Sequence, residues 1–111
     1  MRGHLSPACV QAVRAYEARL RDRFGARLRR YRVFGSHARG EAGPASDLDV
    51  AVVIDGLSRD EWRAAIGDAA EVEYEAELLL SPFVVSSEHF DEMVRRELAI
   101  ARAVLYEGIA P

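Results

Sequence analysis

Two alternating stretches, one running into Gly35-Ser36 and the other opening with Asp47-Leu48-Asp49, restrict what this chain can become more than any other feature. Arg29, Tyr31 and Val33 alternate with Arg30, Arg32 and Phe34, the period of a short strand. Over Asp47–Ile54, Leu48, Val50, Val52 and Ile54 share one face while Asp47, Asp49, Ala51 and Val53 share the other. The interval holds Gly40, Gly43 and Pro44, too broken for a long element but roomy enough for one helical turn and a loop. The Gly-Ser turn and the acidic start of the second strand are thus brought to neighbouring positions in a small sheet.

Helical patterns flank this unit. Ser6-Pro7 reads as a cap followed by proline at the first helical position, and Val10, Val13, Leu20 and Phe24 recur at helical spacing until Gly25. Ser58-Arg59-Asp60-Glu61 has the form of a capping box, and Trp62, Ala65, Ile66, Ala69, Val72 and Ala76 then follow one stripe. That helix is expected to reach about residue 75. Leu78–Val85 reads as a third strand, with Pro82 marking an edge or a bulge. Ser87 is expected to cap one final helix, striped by Phe90, Met93, Val94, Leu98, Ala101 and Leu105 and closing near Gly108. The order predicts a small α/β (α+β) layer: a mixed β-sheet with helices packed on one face, built by residues 1–111 as a single domain.

Composition narrows the function classes. No window approaches a membrane span or the core of a secretory signal, so a cytoplasmic protein is expected. Cys9 is the sole cysteine, which excludes an internal disulfide or a zinc finger and reads as a packed, inert thiol. Residues 1–46 hold ten arginines against three acids, and residues 47–111 five against fifteen. Such a split suits a basic nucleic-acid face, but the arginines are dispersed through the first helical pattern, which argues for a solvated face instead. Trp62 and Tyr74 lack the interleaved basic pattern of a single-strand binder and read as core. At this length burial on folding is modest, which leaves room for association with a partner or a second copy.

The chemistry lies in the segment from Phe34 to Val53. Gly35 and Ser36 stand where a strand hands over to a helical turn, so backbone N–H groups and the serine hydroxyl can cradle phosphate oxygens. Asp47 and Asp49, two apart on a strand, project together at a backbone separation of ~6.5–7 Å, within joint reach of Mg²⁺. Two such ions stabilise both attacking and leaving oxygens in phosphoryl transfer. His37 reads as a spectator inside the loop, and His4 and His89 have no companions at ligand spacing.

The spacing Gly35-Ser36, ten residues, then Asp47-x-Asp49, with Ala38-Arg39-Gly40 and Ser46 in the interval, resembles the minimal nucleotidyltransferases of the DNA polymerase β superfamily. The resemblance is strongest over residues 31–54 and looser through Ser81-Pro82 and Tyr106-Glu107-Gly108-Ile109. It implies a polymerase β-like palm, with Gly35 and Ser36 on the β and γ phosphates and Asp47 and Asp49 ligating two Mg²⁺. It further implies transfer of a nucleoside monophosphate, AMP from ATP, to a hydroxyl on a protein or small molecule. Arg39 either reaches the triphosphate or orients an aspartate through an ion pair. The family's third carboxylate has no direct counterpart: alignment on Ser81-Pro82 places Leu79 there, and Glu77, two residues earlier, is the best substitute. The acidic run around Glu77 equally reads as a solvated helix face. Kinship also implies a small helical partner of the HEPN type, with this chain as the antitoxin of the pair. The missing acid supports a rival reading, a binding module that neutralises its partner by occlusion; a third is a nucleotide sensor that keeps the phosphate loop and the metal pair without transfer.

Overall fold

The computed structural model describes residues 5–43 and 46–111; His4 and Pro44 lie outside this range. In order, the elements are α1 (Pro7–Phe24), a 3-10 turn (Gly25–Arg27), β1 (Leu28–Phe34), α2 (Ser36–Arg39), β2 (Leu48–Ile54), α3 (Arg59–Ala76), β3 (Leu80–Ser86), α4 (Ser87–Arg95) and α5 (Ala99–Glu107). The sheet runs β1-β2-β3, with β1 antiparallel to β2 and β3 parallel to it. This is the small mixed sheet of an α+β fold. The parallel β2–β3 pair requires a crossover, and α3 supplies it.

Both faces of the sheet are covered, whereas the sequence pattern led us to expect helices on one. Leu48, Val50, Val52 and Ile54 meet Val13, Tyr16 and Leu20 of α1 and Ala65, Ala69 and Val72 of α3. On the other side Ala51 and Val53 join Phe34, Val85, Phe90, Met93, Ala101 and Val104 under α4 and α5. The reason is the apolar character of the second face of β2 beyond Asp49, the pattern of a strand buried on both sides.

The caps explain where the helices begin and end. Ser6 Oγ accepts the Cys9 N–H at 3.2 Å, and the Ser58–Glu61 capping box closes in both directions at 3.1 and 3.0 Å. The final helix is two helices. Glu97 takes a left-handed φ of 55°, its N–H donates to the Val94 carbonyl at 3.0 Å, and the Leu98 N–H donates to that of Met93 at 3.1 Å. This paired closure is a Schellman turn with glutamate where glycine is usual, and it leaves Leu98 exposed outside both helices. The cap of α4 is Ser86, one residue earlier than expected, and Ser87 Oγ instead donates to Asp55.

The opposed charges of the two halves meet across the α1–α3 seam. Arg19 pairs with Glu71 and Glu75, Arg23 forks onto the buried Asp68 at 2.9 and 3.0 Å, and Arg27 forks onto Glu61 at 2.8 Å. Arg21 is held within its own helix by Glu17. Much of the basic stretch is therefore matched by acids of the same chain. Tyr16 and Tyr31 lie beneath, edge to face at 6.0 Å, with their hydroxyls donating to the Ala65 and Val13 carbonyls. Burial raises both phenols well above the usual tyrosine range.

Candidate active site

The site is assembled where β1 ends, β2 begins and β3 begins. Phe34, the last residue of β1, is directly opposite Asp49 on β2, so the following Gly35 lies against the aspartate. Gly35 has φ 75° and ψ −152°, and a Cβ built there would fall 2.2 Å from Asp49 Oδ2 and 3.1 Å from Cγ. Glycine is required twice over, by its backbone conformation and by this approach. Ser36 opens α2, a single turn that closes on Gly40 in the left-handed region. The Arg39 N–H donates to the Gly35 carbonyl at 3.1 Å and the Glu41 N–H to that of Ser36 at 2.9 Å.

The chain then returns to the acids through a fastened loop. Ser46 N–H donates to the Gly43 carbonyl at 3.1 Å, and Ser46 Oγ accepts the Gly43 N–H at 2.9 Å. His37 Nε2 lies 3.2 Å from the Ser46 carbonyl oxygen, so this histidine ties the two ends of the loop together. Asp47 is exposed and sits one residue before β2, while Asp49 is half-buried within it. Burial pushes the Asp49 carboxyl above the ordinary carboxylate range; a hydrogen bond from Ser81 opposes this, repulsion from Asp47 adds to it, and His37 and Arg39 partly offset it. Among the described residues neither aspartate is in an ion pair.

That donor set fits a hard divalent cation: two carboxylates close enough to repel, neither of them in an ion pair among the described residues. Asp47 and Asp49 are the residues that could hold Mg²⁺. Among the described residues no group of three His, Cys, Asp or Glu side chains converges on one ion site.

The other expected site residues fall as follows. Arg39 is half-exposed and pairs with Glu41 at 2.8 Å and Glu107 at 3.1 Å, so its ion pairs are with these glutamates and not with Asp47 or Asp49. Glu107 ends α5, and just beyond it Ile109 bridges Val33 through two backbone hydrogen bonds of 2.8 and 2.9 Å. Glu77 is not on an extended strand. It terminates α3 as a left-handed residue, φ 56° and ψ 38°, its N–H donating to the Glu73 carbonyl at 2.9 Å. Its side chain lines a cavity of about 470 Å³ with His37, Ser46 and Leu79, which neither aspartate lines. The helix ends at Ala76, one residue past the expected end, and Glu71 and Glu75 pair with Arg19 along its outer face.

Leu79 is 60% exposed, and its carbonyl accepts the Leu48 N–H at 2.9 Å, which sets it alongside Asp47. Ser81, which sequence reasoning used only as an alignment marker, is the residue of β3 in register with Asp49. No sequence signal reveals that neighbour, because it depends on the register of a non-local parallel pair. Trp62 and Tyr74, expected in the core, are 43% and 87% exposed. Cys9 is a buried free thiol, as its helical position suggested. No helix among the described residues is long and apolar enough to cross a membrane.

No curated protein matches the chain at a significant level. A family model described as a nucleotidyltransferase domain matches residues 13–106, a span that takes in α1 from Val13 onward, the Gly-Ser turn, both aspartates and all but the last residue of α5. With the Gly35–Asp49 juxtaposition in place, this chain belongs to the nucleotidyltransferase domain family.

Proposed function

We propose that the chain transfers a nucleoside monophosphate, AMP from ATP, to a hydroxyl on a protein or small molecule in a Mg²⁺-dependent reaction. The observation that carries this reading is the fit of Gly35 against Asp49, which fixes the phosphate turn beside the acid pair. The backbone at Gly35 and Ser36 and the Ser36 hydroxyl hold the β and γ phosphates, which presents the α-phosphorus toward Asp47 and Asp49. The acceptor oxygen forms a bond to that phosphorus as the bond to the bridging oxygen breaks, and pyrophosphate leaves with the electron pair. The acceptor proton passes to a carboxylate or to solvent. Mg²⁺, held by Asp47 and Asp49, supplies charge neutralisation for the triphosphate and for the attacking and leaving oxygens.

The kinship implied by the sequence suggests a HEPN-type helical partner neutralised by nucleotidylation. One observation favours a second reading: the acids have Leu79, just before β3, and Ser81, within it, as neighbours instead of a carboxylate, as in a module that binds and occludes its partner.

Incubation with ATP labelled at the α-phosphate, Mg²⁺ and the product of the adjacent gene separates the two. Stable label on the acceptor with release of pyrophosphate is the expected result. Tight binding with no transfer under any metal would replace the enzyme by the occluding module.

The position of Glu77 gives a further expectation. Glycine accepts the left-handed cap without the strain a β-carbon adds, so Glu77→Gly should raise stability by about 1 kcal/mol, read as a higher Tm. Label transfer should persist in this variant. A folded Glu77→Gly protein without transfer would put Glu77 back into the reaction.

A further inference from the structure

The Asp49 carboxylate is gripped from both neighbouring strands. On the β1 side, Oδ2 lies against the Cα of Gly35, where no side chain fits. On the β3 side, Ser81 is directly in register with Asp49 and half-buried, which sets its hydroxyl on the same face of the sheet beside the carboxylate, where it can act as a donor. A short acidic side chain on a strand has two soft torsions, and these two contacts restrict both. Among the described residues Asp47 has no such support: it precedes β2, is exposed, and has the apolar Leu79 beside it.

We infer that Ser81 is a positioning residue for this site: its hydroxyl fixes the Asp49 carboxylate against Gly35, aiming the free lone pairs at the cation shared with Asp47. The role rests on the proposed reading of Asp47 and Asp49 as the metal-holding pair. Ser81 bears no charge and touches no phosphate; it acts through Asp49. The arrangement is that of an outer-sphere partner orienting a metal ligand, whose removal characteristically weakens metal affinity. It also gives the β3 position a purpose where a carboxylate is absent, since a neutral donor holds Asp49 without adding a third negative charge to a pair that already repels.

The test is direct binding of Mn²⁺, followed by the electron paramagnetic resonance of the free ion in the absence of nucleotide. Relative to the unmodified chain, Ser81→Ala and Ser81→Val should weaken binding about tenfold, whereas Ser81→Thr, which keeps the hydroxyl, should stay within about twofold. Threonine and valine have the same shape and both suit a strand, so their comparison isolates the hydroxyl even if the alanine variant folds poorly. Asp49→Asn serves as the reference for loss of the site. If Asp49→Asn loses Mn²⁺ binding but Ser81→Val does not, the positioning role is overturned and the metal reading stands. Equal weakening by threonine and valine overturns it as well. If Asp49→Asn leaves Mn²⁺ binding intact, the metal reading itself fails and the role of Ser81 falls with it.

Discussion

Asp49→Asn should lose nucleotidyl transfer by about a thousandfold or more, ~4 kcal/mol of transition-state stabilisation, while the folded chain becomes slightly more stable. The two effects have one origin. The Asp49 carboxyl is held above its ordinary range by burial, with Asp47 adding repulsion that Ser81, His37 and Arg39 only partly offset. A carboxylate whose folded pKa is raised binds its proton more tightly in the folded state. Its ionisation therefore costs stability at neutral pH, and that cost disappears as pH falls through the raised value. Asparagine removes the charge at all pH values and keeps the shape. The expected signature is a higher Tm near neutrality that converges on the unmodified protein's Tm in acid, measured beside label transfer that is gone. A lower Tm at neutrality would show that the Asp49 charge is compensated and not strained.

Gly35→Ala should be nearly as damaging to transfer, for a different reason. A Cβ at this position falls 2.2 Å from Asp49 Oδ2, a separation that no pair of atoms tolerates, so the carboxylate must turn away. The backbone at φ 75° adds strain of its own, and together these should cost about 1–3 kcal/mol of stability. A chain that remains folded will still have a displaced acid and a distorted phosphate turn, and a misplacement of about 1 Å suffices for a hundredfold loss. Thermal unfolding and label transfer measured together check this. A modest fall in Tm with transfer reduced a hundredfold is expected, and undiminished transfer would show that the contact is not needed. Asp49→Asn and Gly35→Ala thus move Tm in opposite directions while both remove activity, which distinguishes loss of charge from loss of space.

The parts of this fold that were legible in the sequence are those set by local chemistry. Ser6-Pro7, the Ser58–Glu61 box and Gly25 fixed helix ends that the structure reproduces, because a cap is decided within four residues. Strands β1 and β2 followed from a period of two, and the Gly-Ser turn from the end of β1. Illegible were features in which an ordinary residue takes an unusual backbone. Glu77 and Glu97 both occupy the left-handed region that glycine favours, so the cap conformation of α3, whose end fell within a residue of expectation, and the break between α4 and α5 were not announced. Ser81 was hidden differently, since its partner lies 32 positions away and only strand register reveals it. The coverage of both sheet faces was readable in principle from Ala51 and Val53, whose apolar character beyond Asp49 leaves no solvent face on β2. The exposure of Trp62 and Tyr74 was not, because a helical stripe does not say how wide the covered arc is.

The seam between α1 and α3 has a consequence for how the molecule comes together. Its arginines lie in the segment that carries the Gly-Ser turn, and the glutamates and Asp68 that receive them lie in the segment that carries Asp47 and Asp49. The two segments are therefore electrical complements before they are structural ones, and attraction between them favours their encounter while either is still unfolded. Added salt would slow that meeting, yet subtract little from the finished protein, since ion pairs at the surface contribute little once the apolar layers have closed.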